Sequence, residues 1–147
     1  GGGDVFLKRL LPIFKASFFV PLFGDGSTKF QPVFIDDVSL AVEKIITDNI
    51  GGQGIYELAG LRAISYKDFY NYISKCLNKT RVLVPTPLNL IKPIISIAEK
   101  TPFSPLTSEQ LLLFEKDNII QNIDKSFKDL EISPQDTLQI TKNIIEN

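Results

Sequence analysis

Apolar positions along the chain fall into short, separately punctuated blocks. Phe6, Leu7, Leu10, Leu11 and Phe14 lie on one helical stripe, with Asp4 placed to cap it. Pro12 is expected to kink or end that helix, because it cannot bond back to the carbonyl of Lys8. Gly24-Asp25-Gly26-Ser27 reads as a tight turn between two extended pieces, Phe18 to Phe23 and Lys29 to Ile35. Pro32 has no N–H for a ladder, so the second piece is an edge strand or a short one. Asp36 then stands before Val38, Ala41, Val42, Ile45 and Ile46, an amphipathic helical pattern that Asn49 to Gly54 stops.

Ile55 to Ala59 predicts a strand of five, closed by Gly60. Three further helices carry cap signals. Ser65 precedes Asp68, Thr107 precedes Gln110, and Ser133 precedes Asp136 with Pro134 at the first helical position. Thr86-Pro87 marks another start, ahead of Leu90, Ile91, Ile94, Ile95 and Ala98. Arg81 to Val84 reads as a strand, and Asp117 to Asn122 as a short apolar piece of open type. Strands alternating with helices give an α/β class with few short strands. About three strands are too few for a parallel sheet buried on both faces. The pattern therefore predicts the second half of a fold whose main sheet lies upstream.

Composition narrows the chemistry. The 147 residues carry 16 basic and 17 acidic side chains, a net charge of −1, so no nucleic-acid partner is implied. No histidine is present, which excludes Ser-His-Asp and Cys-His catalysis and histidine metal sites within these residues. One cysteine excludes an internal disulfide. The absence of methionine, even at position 1, points to a fragment or processed product. Val82 to Ala98 is apolar but short for a membrane span, and it contains Lys92 and three prolines. A cytoplasmic domain is the expectation.

No motif here performs chemistry alone. Neither G-x-G-x-x-G nor G-x-x-x-x-G-K-[ST] occurs. Gly24-Asp25-Gly26 does not lead into a helix N-terminus, so it reads as a plain turn rather than a phosphate loop. Asp36 and Asp37 read as helix-start carboxylates rather than metal ligands or acid–base groups. Cys76, on one face with Phe69, Tyr72 and Ile73, reads as a small core residue. Tyr66, Tyr70 and Tyr72 have no lysine at the Tyr-x-x-x-Lys spacing.

Several segments together resemble a known family. Gly1-Gly2-Gly3-Asp4-Val5-Phe6-Leu7-Lys8-Arg9 is similar to the G-x-x-D-x-F-L-x-R stretch of extended and atypical short-chain dehydrogenase/reductases. Pro21 to Gly26 followed by Phe30 to Val38 resembles that family's G-x-G … Q-P-V-x-V-x-D-V-A motif, and Gly54 to Gly60 its G-x-x-Y-E-L-x-G stretch. Val84 to Pro87, and Pro105 to Gln110 ahead of Asp117-Asn118, resemble most the branch holding the 39 kDa accessory subunit of respiratory complex I and its bacterial relatives.

The resemblance implies the C-terminal part of a Rossmann-type NAD(P)-binding fold, with residues 1–147 as a mostly helical substrate cap. The N-terminal half would hold NAD or NADP on its glycine-rich turn, with none bound by these residues alone. Of site residues it implies Asp4 and Phe6, in a loop facing the cleft, and Lys29 and Gln31, near where sugar-modifying relatives grip substrate phosphate. No catalytic or cofactor-binding residue is carried over. Implied partners are the upstream half, a second copy through the exposed apolar face that half would cover, and respiratory-complex subunits. The implied location is cytoplasmic or peripheral to the inner membrane.

Overall fold

The computed structural model describes residues 5–48, 54–100, 107–121 and 125–146. The architecture is mixed α/β. Helix α1 (Val5–Ala16) leads into β1 (Phe19–Phe23), β2 (Lys29–Phe30) and α2 (Ile35–Thr47). Next come β3 (Ile64–Ser65), α3 (Tyr66–Cys76), β4 (Val82–Thr86) and α4 (Leu88–Ala98). Short α5 (Ser108–Leu111), two 3₁₀ turns (Leu112–Phe114 and Phe127–Leu130) and α6 (Thr137–Glu146) complete the described elements.

β1 and β4 pair in parallel, with Val20 opposite Leu83 and Leu22 opposite Pro85. β2 and β3 form a separate antiparallel pair, Lys29 opposite Ser65. The main core gathers Leu7, Leu10 and Phe14 of α1, Val20 and Leu22 of β1, Phe69, Tyr70 and Ile73 of α3, and Ile91 and Ile95 of α4. A smaller core joins Ala41 of α2 to Phe127, Leu130 and Ile132.

Helix α1 continues past Pro12 to Ala16, so the proline does not end it. Pro12 sits on the exposed face, where the unbonded Lys8 carbonyl can meet water. An interior proline costs about 3 kcal/mol. Leu10 and Phe14, flanking Pro12 on the buried face, each contribute roughly 1.5–3 kcal/mol, which offsets it. Asp4, the expected cap, lies outside the described residues.

Three other expectations are corrected. Phe34, not Asp36, is the N-cap of α2, and it makes no side-chain cap bond. Asp36 and Asp37 fall in the first turn, where the helix dipole still favours them. Asp37 is buried and accepts from Gln135, from its backbone N–H at 2.8 Å and its Nε2 at 3.0 Å. That grip also explains α6. Gln135 is drawn towards α2, so the helix starts at Thr137 rather than after Ser133, with Asp136 Oδ1 accepting from Leu138 N–H at 3.0 Å. Finally, residues 55–59 form no strand. Glu57 N–H bonds the Lys125 carbonyl at 2.9 Å, while Ile55 points outward at 81% exposure. The strand expected at Arg81 to Val84 is present, shifted to Val82–Thr86.

Two cap signals work as read. Ser65 Oγ accepts from Asp68 N–H, and Thr107 with Gln110 makes a reciprocal capping box. Cys76 is half-buried and packs against the main core. Among the described residues no helix is long and apolar enough to cross a membrane.

The Asp37 grip is testable. Asp37→Ala would leave the Gln135 N–H unpaired, and a loss of about 2 kcal/mol is expected. Asp37→Asn, whose amide oxygen still accepts one bond, should cost less. Urea unfolding of both variants checks the order.

Candidate functional site

The site residues suggested by the sequence centre on β2. Asp4 lies outside the described residues, and Phe6 sits in α1 with its side chain outside the described set. Lys29 and Gln31 are both placed.

β2 is only two residues long, so side chains hold it. Phe30 stacks on Tyr66 at 4.5 Å between ring centres and meets Phe69 edge-on at 5.3 Å. Tyr66 in turn packs on Phe114 at 4.3 Å. Thr28 Oγ1 donates to the Phe114 carbonyl at 2.9 Å. Burial of the Tyr66 ring pushes its phenol up to about 12. The unfolded phenol ionises near 10. Stability from this group is therefore complete below pH 10 and is lost as pH rises towards 12. A titration of phenolate absorbance should show one late-ionising tyrosine at least, together with unfolding in that window.

Lys29 N–H donates to Asp117 Oδ1 at 2.8 Å, and its carbonyl accepts from Asn118 N–H at 2.8 Å. Its side chain is exposed and lies outside the cleft described next. Gln31 is a strut. Its backbone N–H reaches the Asn118 carbonyl at 3.1 Å, Nε2 donates to the Gly60 carbonyl at 2.8 Å, and Oε1 accepts from Ile120 N–H at 3.4 Å. The amide thus ties the 58–60 loop and the 118–121 segment to the end of β2.

Between those two loops lies an open cleft of about 570 Å³, walled by Gln31, Val33, Glu57, Ala59, Asn118 and Ile120 among others. Glu57 is the residue that reading the sequence missed. Its Oε2 is buried and has no hydrogen-bond partner among the described residues. A buried carboxylate oxygen in that state is costly unless something donates to it. The signal available was its place in the Tyr56-Glu57-Leu58 run beside Gly60, which reads equally well as a strand position.

The Gly24-Asp25-Gly26 turn does not form a dinucleotide cradle. A pyrophosphate needs a glycine turn opening directly onto helix N–H groups. Here Gly24 and Gly26 take left-handed φ of 67° and 76°, and the turn leads into β2. Asp25 Oδ1 takes both the N–H and hydroxyl of Ser27, which holds its carboxyl below the usual range. The first N–H groups of α3 are spent on the Thr28 and Gly26 carbonyls and on Ser65 Oγ. Nor does any cluster among the described residues have the donor set for a metal ion. The cleft itself is walled by Gln31, Glu57 and Asn118 among apolar neighbours.

Known proteins share both sequence and fold with this chain. No protein-family model matches it. It is 28% identical over 120 residues to the mitochondrial NADH-ubiquinone oxidoreductase 40 kDa subunit of Neurospora crassa, covering 81% of this chain and 32% of that protein. It is 28% identical over 127 residues to the mitochondrial NADH dehydrogenase [ubiquinone] 1 alpha subcomplex subunit 9 of Arabidopsis thaliana, covering 79% and 31%. The chain therefore spans about a third of the length of these relatives. Its fold matches a triphenylmethane reductase of Citrobacter sp. with a TM-score of 0.70 at 17% identity, over 99% of this chain and 50% of that one. The chain is thus similar in sequence to one stretch of these two mitochondrial subunits, and it shares its mixed α/β fold with half of the reductase.

Proposed function

We propose that residues 1–147 are the C-terminal substrate-cap portion of an NAD(P)-dependent protein of the epimerase/dehydratase or complex I 39 kDa type, inactive alone. The observation that carries this reading is the β1–β4 pair. A parallel pair is normally buried within a larger sheet. Here β1 has no second neighbour among the described residues, and its first residue Phe19 and the preceding Phe18 are 61% and 54% exposed. A Rossmann half contributed by an upstream segment supplies further strands on that edge and the glycine turn that these residues lack.

In this arrangement the cleft between residues 57–59 and 118–121 forms the cap side of the substrate pocket. Lys29 supplies positive charge at its margin, and Gln31 holds the loops in register. The dinucleotide sits on the upstream half.

Calorimetric titration of the 147-residue chain with NADH and NADPH should show no micromolar binding, and the chain joined to its upstream coding segment should gain it. Micromolar binding by the chain alone would overturn the reading. The uncovered apolar surface should also make the isolated chain self-associate, as light scattering can measure.

A second reading is favoured by the relatives, both of which are complex I subunits. In it the whole protein binds NADP(H) for stability and serves as an assembly or scaffold subunit, peripheral to the inner membrane. An upstream Tyr-x-x-x-Lys pair would favour the enzyme, and its absence the scaffold.

A further inference from the structure

The near-neutral net charge conceals a strong segregation. Residues 5–24 and 69–98 contain no aspartate or glutamate, yet they carry Lys8, Arg9, Lys15, Lys75, Lys79, Arg81 and Lys92. All 17 acidic residues lie elsewhere, against the nine remaining basic ones. The fold brings these two acid-free stretches together, because β1 belongs to the first and β4 to the second.

Their cations meet at one end of the sheet. Arg81 Nε donates to the Phe14 carbonyl at 2.6 Å, and Lys79 Nζ to the Lys15 carbonyl at 3.1 Å. Beside them, between the C-terminal half of α3 and the turn into β4, lies an open depression of about 480 Å³. Its wall holds Lys75, Lys79 and Arg81 with two asparagine amides, and no carboxylate. Among the described residues no carboxylate pairs with Lys15, Lys75, Lys79 or Arg81.

Helix capping accounts for only part of this charge. The end of α3 is closed by its own backbone. Asn78, at a left-handed φ of 50°, bonds the Lys75 carbonyl, and Lys79 N–H bonds that of Ser74. Lys75 is not needed there. Lys79 spends one of three ammonium donors on α1. Arg81 spends Nε on Phe14 and one Nη1 donor on the Thr80 carbonyl, leaving three of its five. The depression thus holds more pre-positioned donors than the fold consumes, with Arg81 fixed in the planar fork that suits phosphate oxygens.

We propose that this depression binds a phosphate group, either free in solution or on a lipid head. It is separate from the cleft at Gln31 and Glu57. The test is a backbone-amide NMR titration of the full chain with inorganic phosphate, using chloride at equal ionic strength as control, beside sedimentation with phosphatidylcholine vesicles with and without phosphatidic acid. Lys75→Glu is compared with Lys116→Glu, which makes the same charge change outside the depression, after circular dichroism has confirmed folding. Lys75→Gln serves if the reversal does not fold.

Saturable shifts confined to residues 71–81, weakened about tenfold by Lys75→Glu and little by Lys116→Glu, would assign free phosphate. Sedimentation that requires phosphatidic acid and is lost in Lys75→Glu alone would assign the lipid head. No saturable response to either probe, or equal loss in both charge reversals, would overturn the proposal.

Discussion

Phe14→Ala is expected to lower stability by about 4 kcal/mol, the range for deleting a fully buried ring. Phe14 is 0% exposed and meets Tyr70 edge-on at 5.3 Å between ring centres. It joins α1 to α3 in the main core, where Val20 and Leu22 of β1 are also buried. Its loss opens a cavity, and Pro12 then has less burial to offset the missing helix bond. The end of α1 should loosen first, and with it the carbonyls held by Arg81 and Lys79. Chemical denaturation measures the global loss, and amide exchange at residues 13–17 measures the local one. A loss below about 1 kcal/mol would mean that the α1–α3 packing described here is wrong, since even partial collapse of such a cavity costs more.

Gly60→Ala should cost about 3 kcal/mol, the upper part of the range for an overpacked site. Gly60 is buried, and a Cβ there would run into the Pro32 carbonyl oxygen, a backbone atom that cannot swing aside. Either the 58–60 loop or the chain after β2 must move. Gln31 Nε2, bonded to the Gly60 carbonyl, would be displaced with it. The predicted drop in melting temperature is roughly 10 °C, with a change in shape of the cleft at Glu57. A control at Gly54 should be milder, because its Cβ would meet the far end of the flexible Lys125 side chain. Equal effects at the two glycines would refute the close approach at Pro32.

Local signals survived where the chain itself supplies the partner. Ser65 and Thr107 cap their helices because the accepting oxygen and the N–H groups lie within one turn. The stripe Leu7-Leu10-Phe14 was legible because helical period puts it on one face. The misreadings share a different cause. Asp36 looked like a cap and Ser133 like a helix start, but Phe34 caps α2, and Asp37 takes its bonds from Gln135, far away in sequence. Ile55 to Ala59 has strand composition, but a strand needs a ladder partner, and composition cannot supply one.

The site divides the same way. Gln31, named from its place in a recognisable motif, lines the cleft, whereas Lys29, named beside it, does not. That Gln31 serves two loops at once, and that Glu57 buries an oxygen, follows from loops that approach only after the fold closes.

The order of residues alone was enough for the α/β class, most of the helices and the likeness to the 39 kDa subunits, since all three depend on period, caps and motif spacing. Folding decided which strands pair, where the two acid-free stretches meet and which side chains face the cleft. These depend on contacts between residues distant along the chain, and no local pattern records the distance between them.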